Sequence, residues 1–229
     1  NKTHPRNFKE LAYKNYGKTL SELFLINYTE KLWGELSTNL DVSISGGRLK
    51  NLDLYSIIKN FLFNKKDAKH IDGDFLYPKY GFGSIFTTIF DNLDQNKISL
   101  MTPIKSIILE SNNIKKIKLK NNDEIDVDHV ISTLPLPLLI RQLNPSVPEH
   151  ILKIVNQIKY RDLKLFILFL DKESFSPNAS LYFPEKEVLF TRIYEPKNRS
   201  PYMSPKGKTS IVIEVPCSNE MTDDSDDAK

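Results

Sequence analysis

Residues 105–120 read KSIILESNNIKKIKLK, and this stretch decides the fold of the middle of the chain. Its two apolar-rich halves, Lys105–Glu110 and Asn113–Lys120, predict two β-strands joined at Ser111-Asn112. In the second half, apolar residues are interleaved with lysines, which is typical of a strand with one exposed face. The alternation slips once at Lys115-Lys116 and so indicates a β-bulge.

The segments on either side of this hairpin extend it into a layered arrangement. Before it, apolar residues at helical spacing over Ile85–Leu93 predict a helix, and Ile98–Leu100 is predicted to be a short buried strand. After it, Asp126–Ser132 is predicted to be a buried strand that runs into Thr133-Leu134-Pro135, and Leu138–Leu143 a short helix. Helices and strands in this order predict an α/β fold.

The outer parts of the chain have different patterns. The first third is predicted to be helical over Asn7–Trp33, with Gly17 ending the first helix, and again over Tyr55–Phe63. In the last part, three apolar runs with proline-rich connections predict a mostly antiparallel sheet: Leu163–Leu170, Val188–Tyr194 and Thr209–Val215.

The composition argues against several classes of protein. Of the 229 residues, 40% are hydrophobic, which is typical of a globular rather than a disordered chain. The net charge of +3 comes from 32 basic and 29 acidic residues, so it gives no indication of a nucleic-acid or membrane-surface partner. The apolar run Leu163–Leu170 is far shorter than the roughly 20 residues of a membrane span.

The number and spacing of the cysteine and histidine residues limit the disulfides and metal sites that the chain can form. The single cysteine, Cys217, rules out an intrachain disulfide and predicts a reducing compartment, which we interpret as the cytoplasm. The four histidines are far apart and have no metal-ligand spacing, so no metal site is predicted.

Five short segments carry a resemblance to a known group of proteins. Together, and in this order, they resemble the group that contains FAD-binding amine oxidases, protoporphyrinogen oxidases and UDP-galactopyranose mutases, over about 7–217. The segments are YTEKLWG (28–34), YPKYGFG (77–83), ISLMTPI (98–104), DHVISTLP (128–135) and FTRIYEPK (190–197).

The resemblance implies parts of two domains. Residues 1–76 correspond to the helical part of a substrate domain, and 77–145 to a portion of a Rossmann-like FAD domain with a helix, a β-hairpin and a buried strand. Residues 146–229 correspond to the substrate-domain sheet with an acidic C-terminal tail.

The resemblance also implies FAD as cofactor, but one expected motif is missing. The group holds the FAD pyrophosphate on a GxGxxG turn at a helix N-terminus, and no GxGxxG occurs here. The chain is therefore expected to be a middle fragment that binds FAD weakly or not at all and has no activity alone.

Candidate cofactor-binding residues follow from the resemblance. Ile104 stands where members of the group read the adenine ring with main-chain atoms, although it is also a plain sheet residue. Thr133 and Pro135 follow the predicted buried strand, where ligands bind in open α/β sheets; alternatively, Thr133 caps the next helix. Gly81 and Gly83 permit close approach of a ligand or simply form a tight turn.

Candidate substrate-binding residues are assigned in the same way. Arg192 corresponds to a mutase arginine that faces the substrate diphosphate; alternatively, it is solvated or pairs with a carboxylate, Glu195 or Glu214. Trp33 is either a pocket wall or a core residue.

Three further residues complete the substrate set. Tyr77 and Lys79 are predicted to line the mouth of the flavin site or, alternatively, only to form part of a tight strand-to-helix turn. Arg48 is either a second contact for an anion or a solvated loop arginine.

Two enzymatic functions and one non-enzymatic function remain open from sequence. The first is an FAD-dependent oxidoreductase that transfers a hydride from a small molecule to flavin. The second is a flavin-dependent mutase of a nucleotide sugar, which the 28–34 and 190–197 segments favour. The third is an inert α/β module. The oligomeric state is not indicated by the sequence.

Overall fold

A computed structural model describes residues 4–46 and 76–218. The predicted helix Tyr55–Phe63 and the acidic tail lie outside the described residues. The chain forms two compact units, one of residues 1–87 with 161–229 and the other of residues 88–160.

The first unit begins with a broken helical segment. Helix α1 (Phe8–Leu20) starts at Asn7, whose side chain accepts a hydrogen bond from the Glu10 amide at 3.0 Å. Gly17 has φ 74° and ψ 167°, so it interrupts the helical path as predicted. A π-helical turn (Ser21–Ile26) continues into helix α2.

Helix α2 (Asn27–Trp33) ends at a left-handed residue, a conformation that favours glycine. Gly34 has φ 66°, and its amide donates to the Glu30 carbonyl at 2.8 Å. A Cβ at this position would lie 2.7 Å from Cζ of Arg161, so a side chain at residue 34 would displace that guanidinium and would strain the left-handed backbone.

The start of α1 packs on the segment that follows α2. Phe8, Ala12 and Leu40 form a buried apolar cluster. The Phe8 amide donates to the Leu40 carbonyl at 2.9 Å, and the Lys9 amide to the Ser37 carbonyl at 3.2 Å. These bonds satisfy amides that the first turn of a helix leaves without partners.

The sheet of the first unit has the order β5-β8-β7-β6, and all its neighbours are antiparallel, which confirms the predicted mostly antiparallel sheet. Strand β5 lies at one edge, and its apolar side chains remain largely exposed. The strands are β5 (Asp162–Leu170), β6 (Ser180–Tyr182), β7 (Arg192–Tyr194) and β8 (Thr209–Cys217).

Strand β7 is shorter than the predicted Val188–Tyr194. The Phe183 amide still donates to the Thr191 carbonyl at 3.0 Å, but the carbonyls of Phe183 and Phe190 accept hydrogen bonds from the Lys31 side chain. Because a side chain takes up these carbonyls, the ladder ends and 183–190 forms a loop.

Several short helices complete the described residues. The predicted helix around Ile85 is α3 (Gly83–Asp91), and the predicted helix around Leu138 is α4 (Leu136–Arg141). The others are α5 (Glu149–Val155) and four 3₁₀ turns: Val42–Ser45, Gln95–Lys97, Pro196–Asn198 and Pro201–Met203.

The second unit contains the predicted hairpin. Its sheet has the order β3-β2-β1-β4, with β4 parallel to β1. Ser111 and Asn112 both have positive φ (51° and 64°), as a tight two-residue turn requires. The register skips Lys115, which confirms the predicted bulge. The strands are β1 (Ile104–Glu110), β2 (Asn113–Leu119), β3 (Glu124–Asp126) and β4 (Leu143–Asn144).

Two predicted buried strands in this unit are wrong. Strand β3 ends at Asp126, and the residues up to Ser132 leave the sheet with Ile131 97% exposed. The short strand Ile98–Leu100 is absent as well. Strand β2 lies beside only the start of the first run, where Asp126 pairs with Lys116 and the Val127 amide donates to the Lys115 carbonyl at 2.9 Å. Among the described residues no strand pairs with the rest of that run or with Ile98–Leu100, and an apolar run without a partner for its backbone groups does not form a strand.

A buried carboxylate ties the first unit's sheet to its loops. Glu195 is 1% exposed and follows β7 directly. It accepts hydrogen bonds from Oγ1 of Thr209 at 2.6 Å and from the amides of Phe175 and Ser176 at 3.0 and 2.9 Å. Burial alone raises the pKa of Glu195, but these hydrogen bonds and nearby Lys197 outweigh burial and hold the pKa below its usual value.

Glu195→Gln is expected to lower the free energy of unfolding by about 2 kcal/mol at neutral pH. The glutamine NH₂ group would face N–H and O–H donors in place of a carboxylate oxygen that accepts from them, and the remaining hydrogen bonds would lose their charge assistance. A carboxylate with a lowered folded-state pKa stabilises the fold above its unfolded pKa of about 4.3 and loses that contribution as pH falls through the folded-state value. The wild-type advantage in urea denaturation should therefore shrink on acidification below about pH 4.3.

Glu149→Gln is the matched control, because Glu149 is exposed and pairs only with Lys153 on the same helix. It should change the free energy of unfolding by less than about 0.5 kcal/mol. Equal effects of the two substitutions would contradict the assigned role of Glu195.

Candidate functional site

Strand register places three polar side chains in one row across the first unit's sheet. Tyr182 on β6 lies opposite Arg192 on β7, and Arg192 lies opposite Glu214 on β8. Directly opposite residues in an antiparallel sheet point to the same face, so the three side chains are neighbours. We call this set the Arg192 row.

A two-pronged ion pair fixes the arginine. Nε of Arg192 donates to Oε2 of Glu214 at 2.9 Å, and Nη2 donates to Oε1 at 2.5 Å. Hydrogen bonding to Glu214, and less strongly to Tyr182, raises the pKa of Arg192 against the opposing effect of burial. Of the partners considered from sequence, Glu214 is therefore the one that pairs with Arg192, and Glu195 is occupied elsewhere.

The ion pair leaves part of the guanidinium accessible. The Arg192 side chain is 30% exposed, whereas that of Glu214 is only 12% exposed. Glu214 accepts hydrogen bonds from Nε and Nη2 of Arg192, so the Nη1 group of the guanidinium does not bind that carboxylate. An immobilised, partly exposed guanidinium suits binding of an anion.

Aromatic rings surround the Arg192 row. The Tyr28 ring meets the Tyr182 ring edge-on, with centroids 5.7 Å apart, and stacks in parallel on Phe24 at the same separation. The ring of Tyr194 lies 5.2 Å from Cζ of Arg192 and 5.4 Å from Cζ of Arg199. Flat rings beside a fixed cation can bind a planar base or a sugar.

The turn 77–83 packs on the segment that follows β7. The Lys79 carbonyl accepts a hydrogen bond from Oγ of Ser200 at 2.6 Å, and its Nζ lies 4.1 Å from the ring centroid of Tyr202. Lys79 thus contacts the segment that follows β7 in the chain and also carries Arg199. Tyr77 and Pro78 line an open groove of about 550 Å³ with three other apolar residues: Leu76, Phe82 and Ile85.

The two glycines of this turn differ. Gly81 has φ 90°, its amide donates to the Pro78 carbonyl at 3.0 Å, and a Cβ there would lie 2.7 Å from the Met203 sulfur. The turn and this close packing account for Gly81 without a ligand. Gly83 begins α3 and has open space around it, so a ligand can approach it.

Of the other two predicted substrate residues, the structure describes Trp33 but not Arg48. Trp33 is the last residue of α2 and is 47% exposed, so the alternative of a core tryptophan is wrong. Its role as a pocket wall stays a prediction. Arg48 lies outside the described residues.

The three remaining predicted cofactor residues lie in the second unit. The Ile104 carbonyl accepts a hydrogen bond from Nε2 of Gln142 at 3.1 Å. Pro135 is the N-cap of α4, and no side chain caps that helix, so the alternative of Thr133 as N-cap is wrong. Pro135 and Gln142 stand at opposite ends of α4, which separates Pro135 from the residue that contacts Ile104.

Sequence reasoning missed two residues at this site. Tyr182 lies on a strand of only three residues, too short to show alternation. Lys31 stands inside the recognised 28–34 segment, which was the available signal. Its partners, however, are more than 150 positions away in sequence. Glu214 was considered only as a partner of Arg192.

The part of the chain that the structure describes has neither a metal-ligand cluster nor a membrane-spanning helix. In residues 4–46 and 76–218, no three His, Cys, Asp or Glu side chains come together as metal ligands would. Among the same residues, no helix has the length and apolar character of a membrane span.

Solved structures share this fold. The chain resembles a crystal structure of reduced UDP-galactopyranose mutase with a TM-score of 0.78 and 22% sequence identity, over 96% of this chain and 49% of that one. An oxidoreductase from Methanosarcina mazei gives a TM-score of 0.65 at 15% identity, over 96% and 49% of the two chains. The chain thus spans about half the length of these proteins.

A third solved structure widens the group. A protein from Exiguobacterium sp. 255-15, provisionally described as a protoporphyrinogen oxidase, has a TM-score of 0.65 at 16% identity, over 92% of this chain and 45% of that one. The predicted α/β class and the resemblance to the wider group of oxidases and mutases are thereby confirmed.

A family model gives the more specific assignment. The model described as UDP-galactopyranose mutase matches residues 23–226, which include the Arg192 row and the turn 77–83. A match over this much of the chain identifies the family, and the chain belongs to the UDP-galactopyranose mutase family.

Proposed function

We propose that this chain forms the substrate-binding part of a flavin-dependent mutase of a nucleotide sugar, with Arg192 as the contact for the substrate diphosphate. The observation that carries the proposal is the fixed but partly exposed guanidinium of Arg192 among aromatic rings. Membership of the family supports a sugar-nucleotide substrate.

The chemistry of the Arg192 row favours a diphosphate. A planar guanidinium offers donors in a fixed fork that matches phosphate oxygens, and its charge persists at any physiological pH. The pairing with Glu214 holds that fork in one orientation before a ligand arrives, which reduces the entropy lost on binding. Tyr28 and Tyr182 provide flat surfaces beside it for a base or sugar ring.

The described residues fit only part of an FAD site. Gly83 has open space around it, which suits close approach of a cofactor, and the Ile104 carbonyl already accepts a hydrogen bond from Gln142. Gly81, by contrast, is packed against Met203, and the sequence has no GxGxxG cradle for a pyrophosphate. When bound, flavin supplies the electron chemistry of this family.

A flavin-dependent oxidoreductase is the second candidate. Similarity of fold to the Methanosarcina mazei oxidoreductase favours it. Such an enzyme transfers a hydride from its substrate to flavin and needs no diphosphate contact. The two candidates therefore differ in whether the Arg192 row binds an anionic nucleotide.

The mutase proposal predicts that this chain binds UDP and UDP-galactose, and that Arg192→Lys weakens this binding about tenfold or more. Lysine keeps the positive charge but lacks the planar guanidinium, which can donate hydrogen bonds to Glu214 and to a phosphate at the same time. Isothermal titration calorimetry on the purified chain measures the dissociation constants.

Arg141→Lys is the matched control, because Arg141 is an arginine of the second unit that donates to Asn156 and is not part of the Arg192 row. It should leave UDP affinity within about twofold. Absence of UDP binding to the wild-type chain would contradict the mutase proposal and favour the oxidoreductase.

The missing phosphate cradle predicts that the chain, purified alone, carries little or no flavin. Its visible absorption spectrum should lack the flavin bands, and added FAD should keep nearly all of its free fluorescence. A yellow protein with one flavin per chain would overturn this expectation.

A further inference from the structure

One lysine of α2 is wholly engaged by a distant loop. Nζ of Lys31 donates to the carbonyl oxygens of Phe183 at 2.7 Å, Glu185 at 2.9 Å and Phe190 at 2.9 Å. An ammonium group has three donors, and all three are used here. The loop 183–190 is thus gathered around a single nitrogen atom.

This loop connects two members of the Arg192 row. Tyr182 precedes it and Arg192 follows Thr191 at its other end, so the loop closes the β6–β7 hairpin. At the base of the loop, the rings of Phe183 and Phe190 meet edge-on with centroids 4.7 Å apart. Strand pairing sets Tyr182 opposite Arg192, and whatever holds the loop also restrains the end of the hairpin next to them.

Helix α2 also carries other residues of the same site. Tyr28, one turn before Lys31, packs on the Tyr182 ring. Glu30 pairs with Lys186 of the loop at 3.7 Å, a weaker contact because the Lys186 side chain is 63% exposed. Lys31 therefore joins the helix that supplies one aromatic wall to the hairpin that supplies the cation.

We propose that Lys31 is a positioning residue of the substrate site: its three hydrogen bonds hold the loop 183–190 and thereby set Tyr182 and Arg192 for the ligand. The proposal rests on the proposed function for the identity of that ligand. Lys31 acts through the loop and not on the diphosphate, because its donors are already taken.

Only a lysine meets the geometry. A tetrahedral ammonium group can aim three donors at three converging carbonyls, whereas a guanidinium is planar. Burial lowers the pKa of Lys31, and the carboxylates of Glu185 and Glu187 oppose that effect. Loss of the amine would leave three carbonyls without their donor and release the loop.

The test compares Lys31→Met with Lys186→Met in the full chain. Both remove one positive charge and keep the aliphatic stem, but only the first removes the three hydrogen bonds. Lys31→Met is expected to weaken UDP binding about tenfold by calorimetry, and Lys186→Met to change it by less than about twofold. Hydrogen–deuterium exchange of the amides in 183–191 should speed up in Lys31→Met alone.

The two readouts separate this inference from the proposed function. If the wild-type chain does not bind UDP, the proposed function falls, and the exchange data alone decide whether Lys31 holds the loop. Unchanged exchange in Lys31→Met, or equal effects of the two substitutions, would overturn the inference.

A measurement on the unsubstituted chain covers the case in which Lys31→Met fails to fold. The Nζ hydrogens of Lys31 should exchange slowly enough for ¹⁵N–¹H correlation spectroscopy to detect them, unlike those of an exposed lysine such as Lys153, whose side chain is 72% exposed. Rapid exchange of the Lys31 signal would also overturn the inference.

Discussion

The register of three antiparallel strands is the constraint on which the candidate site depends. Because β6, β7 and β8 pair without a slip in this part of the sheet, Tyr182, Arg192 and Glu214 fall opposite one another. A shift of one residue would turn Arg192 to the other face and separate it from Glu214. The ion pair and the register therefore specify each other.

Buried polar residues hold β7 at both ends. Thr191 is fully buried and donates to the Glu214 carbonyl through its amide at 2.9 Å, and Glu195 gathers Phe175, Ser176 and Thr209 on the other side. Buried ionic groups are a weak source of net stability compared with apolar packing. Around this three-residue strand they restrain the backbone on both sides of Arg192.

Local patterns predicted the second unit's hairpin, because strand alternation, turn residues and the bulge all lie within about 16 consecutive residues. The same reasoning failed for Asp126–Ser132, which has the right residues but pairs with a described strand only at its start. It also extended β7 too far, because it did not foresee that Lys31 would take up the loop's carbonyls. Strand formation depends on partners, which a local pattern does not contain.

The sequence by itself determined the α/β class, the antiparallel character of the last sheet and, through five ordered segments, the family resemblance. It also singled out Arg192. Only the tertiary structure decided that Arg192 pairs with Glu214, that Tyr182 and Tyr28 stand beside it, and that Lys31 holds the connecting loop. The hydrogen bonds of Arg192 to Glu214 and of Lys31 to the loop join residues between 22 and 159 positions apart, and their geometry is set by strand register and helix packing, not by any pattern within a short stretch of chain.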